Sequence, residues 1–446
     1  VQKLIVDPTE LSRETPYIEH NIQATRQAYG LDRIEERPFP AEEMLTRSDI
    51  EENALTIRNV RIWDERPMAQ TYQQVQEIRP YYVFNDVDVD RYVVDGVYRQ
   101  VMLSAREMDT RRLPQQAKTW VNEQLHYTHG YGVAVSPVNR VSPEGLPEFF
   151  IRDIPPEGKK DLEIDRPELY YGEMTYGMVA VKTGTEEFDY PSGNTNKQVT
   201  YAGDGGVEIG SLFNRIAFTI KFLDINLLLS NYIMRETRLM YHRQIVDRAR
   251  KIAPFLHFDN DPYMVIHEGR LFWIIDAYTT TDMYPYSART GGRSAINYIR
   301  NSVKVVVDAY HGDVTFYQAD AEDPLINAYG DIFPGLLADI SEMPEGLRSH
   351  VRYPIDLFRV QAFMYRTYHM QDVNVFYNQE DLWEIPNEIY SDRPQRMEPY
   401  YIITKLPEET REEFLLMVPY TPANKDNMIG WLAARCDYLG TAAPCG

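Results

Sequence analysis

Apolar positions along this chain recur first with the period of a helix. Ile18, Ile22 and Tyr29 fall at i, i+4 and i+11, one stripe on an amphipathic helix. Thr15-Pro16 reads as its N-cap followed by proline at the first helical position, and Gly30 as the residue just past its end. Ser48-Asp49-Ile50-Glu51 predicts a capping box on a shorter helix. Pro67 opens a third, with Met68, Tyr72 and Val75 along one side. The period then drops to 2. Tyr81 to Phe84 leads through Asp86-Val87-Asp88-Val89-Asp90 into Arg91 to Tyr98, where Asp95-Gly96 between β-branched and aromatic runs predicts a hairpin. Val265 to Ile275, turning at Glu268-Gly269, and Val303 to Tyr317, turning near His311-Gly312-Asp313, predict two more. Three similar hairpins raise a propeller-like alternative, but their separations are unequal, whereas blades recur at a fixed period.

From Val207 to Ala253 the pattern predicts helix for more than forty residues. Tyr241, Ile245, Ala249 and Ile252 share one face, and the apolar run Ile225-Asn226-Leu227-Leu228-Leu229 is expected in the core. A second helical zone runs from Pro324 to His369, broken at Pro334, Pro344 and Pro354. Helices and hairpins interspersed in this way give an α+β class with antiparallel sheets. The stretch Pro155-Pro156-Glu157-Gly158-Lys159-Lys160 and the turn-rich Arg289 to Arg293 mark candidate boundaries. They divide the chain into an N-terminal region (residues 1–154) with the acidic strand, a central region (155–290) and a C-terminal region (291–446), unless the three form one continuous unit.

Composition adds limits. The 446 residues include 33 Tyr, 17 Phe and 5 Trp, enough for a sizeable core, which excludes a disordered chain. No stretch approaches the ~18 consecutive apolar residues of a bilayer span. Lys+Arg 46 against Asp+Glu 67 gives −21, so nucleic acid is not an expected partner. Arg far outnumbers Lys, which suits bidentate pairing with carboxylates and stacking on Tyr rings. Only Cys436 and Cys445 occur, too few for a disulfide framework or a four-cysteine zinc site; one bridge or two thiols both fit. Val1 to Val6 lack an initiating Met and the pattern of a signal peptide, so the expectation is a processed or excised chain, or one whose beginning is missing.

Candidate chemistry centres on carboxylates. On a strand, Asp86, Asp88 and Asp90 project from one face as an acidic ladder, expected to be exposed. Such a ladder needs either a divalent cation, Ca²⁺ or Mg²⁺, or arginine partners on an edge strand. The calcium-loop template fails, because Arg91 stands at the glycine position and Val97 at the twelfth. Asp259-Asn260-Asp261 has the spacing that holds a metal–diphosphate in some sugar-transferring enzymes; the plainer reading is a turn in which Asp259 caps its own backbone. His126 and His129 stand at i, i+3, but Gly130 and Gly132 argue for a loop. Gly203-Asp204-Gly205-Gly206 reads as a tight turn into a helix more than as a phosphate cradle, since it lacks the P-loop lysine. None of these amounts to a catalytic constellation.

Longer strings carry a resemblance. Glu14-Thr15-Pro16-Tyr17-Ile18, Thr25 to Asp32, Asp86 to Tyr92, Tyr127-Thr128-His129-Gly130-Tyr131-Gly132, Glu187-Phe188-Asp189-Tyr190-Pro191 and Ala253-Pro254-Phe255-Leu256 are six. Asp276-Ala277-Tyr278-Thr279, Asn297 to Lys304 and Arg352-Tyr353-Pro354 continue them in order. Together they resemble the soluble domain of uncharacterised protein family 0182, multi-spanning membrane proteins of bacteria and archaea. The resemblance implies a transmembrane bundle upstream of Val1, this domain on the extracytoplasmic side, and continuation beyond Trp431 to Asp437, where this chain ends in Thr441 to Gly446. It implies no reaction. The expected role is an envelope binding or interaction module, with its own or associated transmembrane helices, a membrane complex or an envelope component as partner. One alternative is a metal-dependent hydrolase or glycosyl transferase using Asp86, Asp88, Asp90, Asp259 or Asp261, with His129 as acid/base. Another is a cation-stabilised structural subunit. Outside the cytoplasm, Cys436 and Cys445 would be open to oxidation.

Overall fold

The computed structural model describes residues 10–39, 46–291, 295–406 and 409–437. Helix α1 (Glu10–Ala28) runs through Pro16 instead of starting there; the Thr15 hydroxyl bonds back to the Leu11 carbonyl at 2.6 Å and caps nothing. Gly30 ends the segment as expected, at φ 69. The capping box exists two residues earlier than expected, with Thr46 as cap and Asp49 as its partner on helix Arg47–Glu52. Helix α2 (Glu65–Gln76) is capped by Asp64, with Pro67 in its first turn and Met68 and Tyr72 buried.

Strands β1 (Asp88–Val94) and β2 (Val97–Ala105) meet at Asp95-Gly96, where both residues take positive φ, the conformation a two-residue turn demands. The sheet continues antiparallel from β2 to β3 (Val133–Pro137) and two short strands, Ile151–Arg152 and Glu157–Gly158. The long helix expected over 207–253 is replaced by shorter elements. Helix α3 (Leu212–Phe222) stops at Leu223, which adopts the left-handed conformation. A short α4 (Asn226–Leu229) follows, its carbonyl end held by the Arg215 guanidinium. Residues Arg238–Met240 then form a strand against Val179–Val181, and α5 (Ile245–Ile252) closes the stretch. The run Ile225 to Leu229 is not core: Leu227 is buried, while Ile225 and Leu229 are exposed.

The central sheet holds the other two expected hairpins. Strands β4 (Tyr263–His267) and β5 (Arg270–Thr281) turn at Glu268-Gly269, and β6 (Tyr298–Asp308) returns as β7 (Val314–Gln318) through the His311-Gly312 turn. Parallel strand Leu337–Asp339 extends β7. The 324–369 zone breaks at its prolines as expected, and its last helix, α6 (Ile355–Tyr368), starts directly after Pro354. A C-terminal sheet of β8 (Tyr400–Thr404), β9 (Glu413–Pro422) and β10 (Gly430–Arg435) completes the α+β architecture.

Two large apolar clusters hold these layers together. One joins Leu103 and Val135 of the first sheet to Trp273, Ile275 and Val305 of the central sheet. The other joins Tyr29, Tyr72 and Met102 to Phe358 on α6 and Phe414 and Leu416 on β9. Each draws on residues from either side of 154 and of 290.

Candidate functional site

The acidic segment is buried, which corrects the expectation of an exposed ladder. Strand β1 starts at Asp88, so Asp86 precedes it, and Asp88 and Asp90 are 5% and 0% exposed. The reason is tertiary. β1 is the edge strand of its sheet, but β4 lies over it: Met264 N donates to Asp88 Oδ2 at 3.1 Å and Ile266 N donates to the Tyr92 hydroxyl at 3.0 Å. The alternation of β1 meets a second alternation, His350 and Arg352. Arg352 Nη2 reaches Asp88 at 3.3 Å and Asp261 at 3.4 Å, while Nη1 donates to the Val89 carbonyl. Its guanidinium stacks 3.9 Å from the Tyr263 ring centroid. His350 Nδ1 sits 2.7 Å from Asp90 Oδ2, and Arg91 Nη1 is 3.2 Å from Asp90 Oδ1. Asp88 and Asp90 are thus each paired with an arginine, Arg352 and Arg91.

Charge is unevenly balanced. Burial raises the Asp90 carboxyl, but His350 and Arg91 outweigh it and hold it below its ordinary range. Around Asp88 one guanidinium faces several acids. Burial pushes Asp88 well above its ordinary value with Arg352 opposing, and burial with Asp261 and Glu107 pushes Asp86 up to about 7. Glu107 and Glu173, neither legible as site residues in sequence, belong to the same group. Glu107 accepts from Glu173 N at 3.0 Å, Met174 N at 2.9 Å and Thr175 Oγ1 at 2.7 Å; burial, then Asp86, raises Glu173. Asp86, Asp88, Glu107 and Glu173, from three separate segments, thus share one buried region in which burial and mutual repulsion disfavour the charged carboxylates. Among the described residues, no group of three or more His, Cys, Asp or Glu is placed to hold a metal ion.

Asp259 and Asp261 do not act as a pair. Asp259 Oδ1 accepts from Asp261 N at 3.0 Å, the backbone-capping turn anticipated, and its other oxygen accepts from the Tyr278 hydroxyl. Burial and the nearby Asp356 raise Asp259 to about 7, while Asp261 points to Arg352. His126 ends a π-helical turn and His129 lies in the loop beyond it. His129 is fully buried; Nδ1–H donates to the Gly130 carbonyl, leaving Nε2 an acceptor without a partner, and burial holds the ring near 4 and hence neutral. Beside it, Glu187 is satisfied by Thr128, Tyr170 and Tyr201 N, whereas Glu168 Oε2 and Asp189 Oδ1 have no partner. The Gly203–Gly206 turn leads into strand Val207–Glu208 and not directly into a helix; Arg238 ties down the Gly205 and Gly206 carbonyls. Cys436 is buried, with Tyr353 N 3.3 Å from its sulfur; Cys445, with which it forms either one bridge or a pair of thiols, lies outside the described residues.

A broad cleft of about 1500 Å³ opens between the segment after α1, the β6–β7 end of the central sheet and the C-terminal sheet. Its wall interleaves Trp383, Trp431 and Tyr365 with Arg33, Arg435 and Asp320.

The chain matches the family model "Uncharacterised protein family (UPF0182)" over residues 1–441. It is 54% identical over 437 residues to a UPF0182 protein of Pelotomaculum thermopropionicum, covering 98% of this chain and 48% of that protein. It is 53% identical over 442 residues to one from Methanospirillum hungatei, covering 98% and 49%. A UPF0182 protein of Trichodesmium erythraeum is 49% identical over 453 residues, with 98% and 49% covered. The chain therefore spans about half the length of the curated relatives it matches. No solved structure matches it.

Proposed function

The chain belongs to the UPF0182 family, and from that premise we propose that it is the extracytoplasmic binding module of a membrane-associated envelope protein. The cleft is the observation that carries this reading. At about 1500 Å³ it exceeds the ~300–1,000 Å³ of a usual small-molecule site. Aromatic faces alternating with guanidinium and carboxylate groups suit an extended ligand with both polar and apolar surfaces, an envelope glycan or peptide. Half of each relative's length lies outside this chain, room for the membrane-anchored remainder of the protein.

Titration of intrinsic fluorescence with glycan and peptide fragments of the cell envelope tests the binding half. A saturable change that disappears in Trp383→Phe/Trp431→Phe is expected; no change with any fragment, or one that survives both substitutions, refutes the cleft. Location is tested with a membrane-impermeant amine reagent. Lys197, exposed on the hairpin Glu187–Val199, should be labelled in intact cells; labelling only after lysis overturns the placement.

A further inference from the structure

We infer that α3 and α4 form a foot that beds into the surface of an anionic lipid bilayer. The inference rests on the membrane association proposed above and names what this region of the chain touches.

Helix α3 has no continuous polar face. Its inner side packs Phe218 and Phe222 around Leu227, Leu239 and Trp120. Its outer side exposes Phe213, Ile216, Ile220 and Leu223 at i, i+3, i+7 and i+10, and Ile225 and Leu229, at either end of α4, are exposed as well. Phe213 is 80% and Leu223 90% exposed. Four large apolar side chains exposed along one helix face mark an interaction surface. Leu223 sharpens the point. It occupies the left-handed position after α3, where glycine or asparagine is the unstrained choice, yet a large apolar side chain stands there in the open.

Charge selects the partner. From 207 to 253 there are eight Arg or Lys against four Asp or Glu, in a chain of net −21; Arg238 pairs with Glu208, Arg250 with Asp247 and Arg243 is buried, which leaves Lys221 and Lys251 among the cations free to meet a partner. The acid nearest the patch, Asp224, is taken up by Trp120 Nε1 at 2.6 Å and Asn226 N at 3.0 Å. Lys221, on α3 itself, lies 4.1 Å over the Tyr241 ring, and Lys221 and Lys251 both come near His242, which burial and these cations hold below its ordinary value. An apolar face with a basic rim is the pattern of an interfacial helix on anionic headgroups. Eleven residues make a helix of ~16 Å, too short for the ~30 Å hydrocarbon core, so α3 lies in the membrane plane. A second copy on the same face would oppose two basic rims, which charge disfavours.

Cosedimentation of the 446-residue chain with vesicles decides it. Phosphatidylcholine vesicles are compared with vesicles that also carry phosphatidylglycerol, at low and high salt. Binding is expected to the anionic vesicles and to weaken with salt. Each of Lys221→Gln and Lys251→Gln should lower it about fivefold. Phe213→Glu/Ile220→Glu should lower it at least roughly tenfold; both side chains are exposed, so an unchanged circular dichroism spectrum and melting temperature verify the fold. Absence of binding to either vesicle, binding undiminished in the apolar variant, or a dimer by light scattering that the same substitutions dissolve overturns the inference. Because the vesicle assay needs neither the cleft nor the cell, its failure is distinct from failure of the binding-module reading.

Discussion

Arg352 shows how much one side chain carries here. It is buried, holds Asp88 and Asp261, binds the Val89 carbonyl and stacks between Tyr263 and Tyr401. Removing one member of a buried ion pair costs more than the pair is worth, because the remaining charge is left without compensation. Arg352→Met should therefore lower stability by about 3–5 kcal/mol in urea unfolding. Asp88→Asn on the same background should recover some of that loss, since the stranded charge is gone. A single variant as stable as the parent, or a double variant no better than the single, would show that Arg352 acts by packing alone.

Among the elements, α3 is where folding and surface chemistry conflict most openly. Leu223 stops the helix in a conformation that costs a residue with a β-carbon roughly 1–2 kcal/mol relative to the right-handed form. Asn tolerates that conformation better. Leu223→Asn should raise the urea midpoint, by up to about 1 kcal/mol in stability, while weakening vesicle binding. A fall in the midpoint would mean that Leu223 makes a contact the fold needs. The hairpin turns carry less of this conflict: Asp95, Gly96, Gly269 and Gly312 all tolerate the positive φ they adopt, and only Glu268, at φ 48, bears the same β-carbon penalty as Leu223.

Across the whole molecule the acids set the pH response. Burial first, then neighbouring acids, raises Asp86, Asp189 and Asp259 to about 7 each. Unfolded, these groups titrate near the ordinary aspartate value of about 3.9. Between those limits the folded chain holds protons on these three groups that the unfolded chain has released, so their contribution to stability is greatest at the acid end and declines as pH rises towards 7, outweighing the opposite slope of the single buried His129. The urea midpoint should accordingly be higher at pH 5.5 than at pH 8. Asp86→Asn should raise the midpoint at pH 8 and flatten the profile. A midpoint that climbs with pH, or a profile unmoved by Asp86→Asn, contradicts this account of the acidic cluster.

By itself the sequence determined what is local: the α+β class, the three hairpin turns, the end of α1 at Gly30 and the breaks at Pro334, Pro344 and Pro354. Each depends on residues within a few positions of one another, through turn conformation or the absence of a proline N–H. The site was only partly legible. The carboxylates Asp86, Asp88, Asp259 and Asp261 stood out by spacing, whereas Glu107 and Glu173 gave no sign, because their neighbours lie far off in the chain. Tertiary structure alone decided that Asp88 and Asp90 are buried, since covering an edge strand depends on β4 and its charge balance on Arg352, 264 positions from Asp88. It also decided that 207–253 is not one helix. The strand Arg238–Met240 exists because Val179–Val181 offers it a pairing edge, and an unpaired apolar run without proline carries no mark that distinguishes that strand from a turn of helix.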